Sequence, residues 1–555
     1  MQIKQRLDAL TSLRFFAAVM IVIHHSAGLF GIGNSGPPLL LWGQGVSFFF
    51  VLSGFILAYV YPRLETWPEI RQFWRARIAR IWPALVASLF LAFWLLPLLW
   101  EGKTALANLL MVNAWIPYPK YFFSYNSPSW SISTEFFFYL TFPFLIWRWD
   151  RTWRMKLFAS GLIVTLLIVV SNHFKLPGFV SVDDGLTCSA LLYIHPAARL
   201  FEFVLGIFIA SCWRRYAGSI QWSRSRASLY EAGVILLAVA SMRFMPKLAG
   251  LVNGYWPGTA AVEWLMGSGS MFVFGLLIFV MAMERGWVTT WLSHPFLVLL
   301  GEISFSLYLL HHIFLRYYLA NFINFPTVPN SLSILVFWII VLLSSYLMWA
   351  WIEMPGRQLM LGRKKKNIHA SKMMRESWHY HLNLNRHTLS AAAILTCLLV
   401  SIYFSMGYVN RISASEADAM TPIHLKSDVG TSFGGRFLLR GAKINRDQSG
   451  LHIELAWESL RRQKLGYTTG IHLTDADGKI LVSADREQPM LRMKAEQGMV
   501  WKDTIFIAAN KLSGNEQKLA IALYPIGDAA HLLPVDRGKR DWDNHRLLID
   551  LNGIH

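Results

Sequence analysis

Arg14 and His25 stand at the two ends of Arg14-Phe-Phe-Ala-Ala-Val-Met-Ile-Val-Ile-His24-His25, a stretch that is otherwise apolar. At about 100° per residue they fall within about 20° of one helical face, whereas His24 lies about 80° round from Arg14. A rise of about 1.5 Å per residue separates the pair by roughly 16 Å along the axis, so they share a face without touching. One face therefore carries a guanidinium near one end and an imidazole at another depth. The structural alternative is an arginine that snorkels to the headgroups and histidines that pair with neighbouring helices.

Other ionisable and polar groups recur inside apolar stretches. Ser53-Gly54 suits close approach of a ligand or, as the default, a small-residue helix contact. Arg75, Arg77 and Arg80 follow in Phe73-Trp-Arg75-Ala-Arg77-Ile-Ala-Arg80-Ile-Trp82-Pro83, with Arg77 and Arg80 three apart on one helical face. Guanidinium groups so spaced suit a phosphate-rich ligand, and equally an interfacial helix on anionic lipid. Ser127 as a cap and Pro128 at the first helical position open a further helix, on which Ser131, Glu135 and Tyr139 follow at i, i+4 and i+8. Ser304, Tyr308 and His311 share one side of another, while His312 lies about 80° from Ser304. Glu353 precedes Pro355 at a span end. Ionisable groups are costly within spans, and this many suggest a polar cavity with acid–base chemistry or an ion path. No metal site is expected.

The elements that must position these groups are membrane helices. The chain of 555 residues is 54% hydrophobic and only 15% charged, against about a quarter charged in ordinary soluble domains. Eleven spans are expected, near 10–30, 39–60, 82–100, 129–147, 157–172, 198–213, 229–244, 260–283, 296–319, 332–352 and 388–409, the first read as a retained helix rather than a signal peptide. The tail from 410 holds 20 Lys and Arg against 18 Asp and Glu, so nearly all of the net +19 lies before it. That charge alternates between connections. One set carries Lys4 and Arg6, Arg63 to Arg80, Arg148 to Lys156, Arg214 to Arg226, Arg285 and Arg363 to Lys366; the other is nearly bare. Basic residues stay in the cytoplasm, so the N-terminus is expected inside and the tail outside, and nucleic acid need not be invoked.

Four regions follow: a membrane core at 1–360, a basic cytoplasmic linker at 361–387, an eleventh helix at 388–409 and a β-rich domain at 410–555. The last rests on period-two alternation at 451–455, 471–473, 480–482, 504–507, 519–523 and 547–551, with Asp475-Ala-Asp-Gly478 as a hairpin turn. The fold class is therefore an α-helical polytopic membrane protein with a C-terminal β-sandwich-like domain. Trp457, Tyr467, Trp501 and Trp542 are candidates for stacking on sugar rings or for the domain's core. Cys188, Cys212 and Cys397 imply no disulfide framework.

Arg14-X10-His25, Val51-Leu-Ser53-Gly54-Phe, Arg77-Ile-Ala-Arg80-Ile-Trp-Pro83, Ser129-Trp-Ser-Ile-Ser-Thr-Glu135-Phe-Phe-Phe-Tyr139, Ser304-Phe-Ser-Leu-Tyr308-Leu-Leu-His311 and Glu353-Met-Pro355 occur in this order. In that order they resemble acyltransferase family 3, integral membrane proteins many of which O-acetylate bacterial polysaccharides. The resemblance covers about 1–360. It implies acetyl-CoA or another acyl-CoA as donor from the cytoplasm, no tightly bound cofactor, and a glycan or lipid-linked glycan acceptor on the other side of a bacterial inner membrane. His25 would be the base on the acceptor hydroxyl; in a covalent route His25 or a serine would carry the acyl group, and the residues leave both open. Arg14 would steady the donor or developing charge. Arg77 and Arg80, with Arg75 and Ser53, would hold the donor. Glu135, Tyr308 and His311 would shape the cavity or orient the base. The tail lies outside the resemblance and has no Gly-Asp-Ser, so a second, hydrolase-like enzyme is not expected there. It would bind the acceptor glycan or contact a glycan polymerase or transferase. A transporter using the same buried charges is the alternative, against which stands the lack of a visible internal repeat.

Overall fold

The computed structural model describes residues 6–26, then 40–362 apart from 97, 99, 179–184, 256–257 and 322–329. In the tail it describes 410–551 apart from 412–413, 422–429, 462–466, 485, 488–496, 510–511, 526–531, 537–539 and 541–543. The expected eleventh span, the basic linker from 363 on, Lys4 and Trp542 lie outside the described residues.

The first unit is helical: α1 Asp8–Ser26, α2 Gly45–Val60, α3 Trp67–Leu95, α4 Gly102–Leu109, α5 Pro119–Phe122, α6 Ser129–Ile146, α7 Trp149–His173 and α8 Pro196–Tyr216. It continues through α9 Arg224–Tyr255, α10 Thr259–Ser268, α11 Met271–Met281, α12 Trp287–Leu292, α13 Pro295–Asn321, α14 Asn330–Met348 and α15 Met354–Met360. Nine described helical stretches are long and apolar enough to cross a membrane. The expected fourth span forms α6, which its serines, threonines and Glu135 leave less apolar than those nine.

Two boundaries differ from the sequence reading. Ser127 does not cap α6; its hydroxyl donates to the Phe123 carbonyl and the helix opens at Ser129. The arginine-rich stretch is no separate interfacial segment. It forms the first turns of α3, opened by a capping box in which Glu69 accepts from the Thr66 N–H at 3.1 Å.

Glycines set the helix crossings that build the site. A Cβ on Gly54 would fall 2.0 Å from the Phe203 carbonyl oxygen, and one on Gly206 would fall 2.0 Å from that of Val51, so α2 and α8 cross backbone to backbone. Gly301 of α13 lies as closely on the Thr11 carbonyl of α1. Arg6 pairs with Glu302 at 2.5 Å, and the Ser12 hydroxyl donates to the Leu292 carbonyl at 2.5 Å. With their starts tied in this way α1 and α13 run parallel, which carries residues near 25 and near 311 to the same depth.

The described residues of the second unit form ten strands: β1 Asn410–Arg411, β2 Thr431–Phe433, β3 Phe437–Asp447, β4 Gly450–Ser459, β5 Tyr467–Thr474, β6 Ile480–Ser483, β7 Arg486–Glu487, β8 Val500–Ala508, β9 Lys518–Pro525 and β10 Leu547–Asp550. They form two antiparallel sheets, β1-β8-β4-β3-β2 and β10-β9-β5-β6 with β7 beside β5. Residues of both sheets enter one apolar cluster. Trp457, Tyr467 and Trp501 belong to it, each 2% exposed or less, so these three are core and unavailable for stacking on sugars. Asp475 accepts from the Asp477 and Lys479 N–H groups, and Gly478 turns at φ +84°, which makes the expected hairpin between β5 and β6.

Candidate active site

A cavity of about 210 Å³ lies among α1, α2, α3, α6 and α13. Its α2 wall runs from Val46 to Leu57, about 16 Å of helix. Phe49, Phe50, Leu52, Ile56, Ile132 and Phe305 give it an apolar side; Arg14, Arg77, Arg80, Ser53, Ser131, Glu135, Tyr139, Ser304 and Tyr308 give it a polar one.

Helical spacing explains why α6 faces the cavity with Ser131, Glu135 and Tyr139. Glu135 Oε1 accepts from the Tyr139 hydroxyl at 2.5 Å and from Ser53 Oγ at 3.4 Å. Neighbours in sequence therefore divide the work on α2: Gly54 meets α8, and Ser53 turns to Glu135. The three cavity arginines differ in their commitments. Arg80 is paired with the fully buried Glu353, which a π-helical turn at Trp349–Glu353 presents and which also accepts from the Ser306 hydroxyl at 3.1 Å. Arg77 lies over the rings of Tyr61 and Phe73, and its buried Nε has no hydrogen-bond partner among the described residues. Arg14 makes no hydrogen bond or ion pair among the described residues. Two guanidinium groups are thus available to an anionic ligand. Arg75 is not brought into the cavity; it is exposed, and its Nε donates to the Met360 carbonyl at 2.9 Å.

His25 and His311 form a second cluster beyond one end of the cavity. Gly45, next to Val46, packs on Ala17 and Ile21 of α1, so that end stops about one turn short of His25. His25 Nδ1 is 2.8 Å from His311 Nε2, with ring planes 13° apart and centroids 5.1 Å apart, the geometry of two rings joined edge to edge. His311 Nδ1 is 3.2 Å from the Leu307 carbonyl, which can only accept. In the neutral pair His311 therefore carries its proton on Nδ1, its Nε2 accepts from His25 Nδ1–H, and the lone pair of His25 is on Nε2. This is the form a general base requires, with its orienting group in place. His312, set aside on helical angle, also joins this cluster, edge-on to His25 at 5.2 Å between centroids. His24 is the exposed neighbour at 5.3 Å.

Tyr308 links the two parts. It lines the cavity, its hydroxyl accepts from Ser131 Oγ at 2.7 Å and donates to the Pro128 carbonyl at 3.3 Å, and its ring lies 5.8 Å from that of His311.

Residues 7–350 match the family described as Acyltransferase domain, about three fifths of the chain and all of the cavity except its Glu353 support. The chain belongs to acyltransferase family 3. Among its relatives it is 31% identical to Acyltransferase MdmB of Streptomyces mycarofaciens, over 56% of this chain and 80% of that protein. It is 28% identical to Nodulation protein 10 of Rhizobium leguminosarum bv. viciae, over 34% of this chain and 61% of the relative. It is 21% identical to a Staphylococcus aureus protein named as an O-acetyltransferase, over 63% and 57%. No solved structure matches. As a member of this family, with nine helices suited to crossing a bilayer among the described residues, the chain is an integral membrane O-acyltransferase.

One buried pair escaped the sequence reading. Arg199 Nε lies 3.0 Å from Glu202 Oε2, both 1% exposed or less, and the guanidinium is held over the rings of Phe50 and Tyr193 while Nη1 donates to Ser268 Oγ at 2.5 Å. The signal was present: a cation and an acid three apart in an apolar span. Because Phe50 lines the cavity, this pair braces the cavity wall.

Proposed function

We propose that this acyltransferase moves an acyl group, acetyl foremost, from cytoplasmic acyl-CoA to a hydroxyl of a cell-surface glycan, free or lipid-linked. The observation that carries the reading is the oriented His25–His311 pair one turn beyond an arginine-lined cavity. Arg14 and Arg77, the cavity cations that make no ion pair among the described residues, suit the phosphates of the donor. The elongated cavity suits an extended thioester arm whose nucleotide stays at the mouth, and Tyr308 stands where the arm would approach the histidines. An extended donor answers the roughly 16 Å between Arg14 and His25: the two act on different ends of one substrate.

In this mechanism His25 Nε2 takes the acceptor proton as the hydroxyl oxygen attacks the thioester carbonyl. His311 Nε2 stabilises the imidazolium through the Nδ1–H bond it already accepts. The C–S bond breaks, and the proton held on His25 passes to the departing thiolate, so no net charge remains. The family resemblance suits a bacterial inner-membrane location, and the charge alternation supports the N-terminus in the cytoplasm and the tail, read as a β-sandwich, in the periplasm. There the tail would meet the acceptor or a glycan-assembly protein. Glycan NMR of a deletion strain tests the whole reading. Loss of O-acetyl signals with glycan export intact is expected; an unchanged glycan profile would overturn it.

A further inference from the structure

Asn126 precedes α6 and is packed against α13, outside the cavity lining. Its Nδ2 donates to the Leu309 carbonyl at 3.0 Å and to Ser88 Oγ at 3.3 Å. A carbonyl only accepts, so this bond orients the amide and turns Oδ1 the other way. Asn126 is fully buried, and Oδ1 has no hydrogen-bond partner among the described residues. The adjoining backbone is pinned too: Arg316 Nη1 donates to the Tyr125 carbonyl at 2.7 Å, and Tyr125 sits at φ +54°, a region side chains with a Cβ seldom adopt. The two pins, Leu309 and Arg316, flank His312 on one face of α13 at i, i+3 and i+7.

His312 Nδ1 is likewise buried and without a partner, and its ring stands edge-on to His25 at 5.2 Å. Two orphaned polar atoms therefore belong to one stretch, His312 on α13 beside the proposed base and Asn126 on the turn bonded to that stretch of α13. An orphaned buried polar atom costs about 1–3 kcal/mol, which a bound group with matching hydrogen bonds removes. Asn126 Oδ1 asks for a donor, and the imidazole nitrogen for a donor or an acceptor. Arg316, the one cation at hand among the described residues, is committed to a carbonyl. Neutral hydroxyls meet these demands; an anion, which cannot donate, does not. We propose that His312 and Asn126 form the acceptor subsite, taking a polyhydroxylated acceptor and setting one of its hydroxyls on His25. This inference rests on the reading that the acceptor is a hydroxyl.

The test uses the full chain in lipid vesicles, labelled acetyl-CoA, and the producing organism's surface glycan stripped of esters by mild alkali. His312→Leu and Asn126→Ala are expected to raise the half-saturating glycan concentration about tenfold or more. The half-saturating acetyl-CoA concentration should stay unchanged. His312→Gln, which restores a neutral hydrogen-bonding edge, should recover most of the loss. Unchanged glycan saturation in His312→Leu, or equal shifts for both substrates with no rescue by glutamine, would overturn the subsite. If wild type labels the glycan no more than His25→Ala does, the transfer reading falls and the subsite with it. If wild type labels it and His312→Leu titrates like wild type, the subsite falls alone.

Discussion

Arg80 and Arg77 lie three residues apart on α3 and both reach the same cavity, yet among the described residues only Arg80 is tied to an acid, Glu353, while Arg77 Nε is buried without a partner. The difference separates a structural cation from one free for a ligand. Removing one member of a buried ion pair strands the other at a cost of about 3–5 kcal/mol. Glu353→Gln should therefore lower the thermal midpoint of the solubilised protein by several degrees, as read by tryptophan fluorescence, whereas Arg77→Gln should leave it nearly unchanged.

Arg77→Gln and Arg14→Gln should act on the donor instead. Each removes a charge-assisted contact of about 1.5–3 kcal/mol, which raises the half-saturating acetyl-CoA concentration about tenfold to a hundredfold. Arg75→Gln should leave it within about twofold, because Arg75 is exposed and bonded to the Met360 carbonyl. A donor titration of the three variants side by side checks this.

The α2–α8 crossing leaves no room for a methyl group at Gly54 or Gly206, since each Cβ would strike a backbone oxygen at 2.0 Å. Gly54→Ala and Gly206→Ala should sharply reduce the yield of folded protein. Gly233→Ala, where the added carbon meets nothing within 4 Å, should not. Detergent size-exclusion profiles distinguish the three.

Trp457 and Trp501 are fully buried cross-strand partners on β4 and β8. Truncating either to alanine should cost the strand-rich unit about 3–5 kcal/mol. In calorimetry of the full chain its transition should move to lower temperature, with acetyl-CoA binding unaffected.

Much of the site was legible because helical angle and apolar context select it. Arg14, Ser53, Arg77, Arg80, Glu135 and Tyr308 all line one cavity, and His25 with His311 forms the pair beyond it. What sequence could not give was which partner each group finds across helices. Arg75 stood near Arg77 and Arg80 in sequence and was a candidate for the same ligand, but the end of α15 takes Arg75 away. An angle measured on α13 alone set His312 aside, yet α1 and α13 pack so that its ring meets His25. Asn126 carried no signal in the sequence, because the carbonyl it bonds belongs to α13, far along the chain. In the tail, alternation located the strands, while the choice between core and surface for its tryptophans depended on how the sheets share one cluster.

The central claim is that His25, oriented by His311, is the base. Transfer of labelled acetyl from acetyl-CoA to de-esterified surface glycan should fall about 10²–10⁴-fold in His311→Ala and at least as far in His25→Ala. The double variant should be no slower than His25→Ala, since the two act as one unit, and donor binding should be kept throughout. Wild-type transfer by His25→Ala, with protein and donor binding at normal levels, would contradict the account.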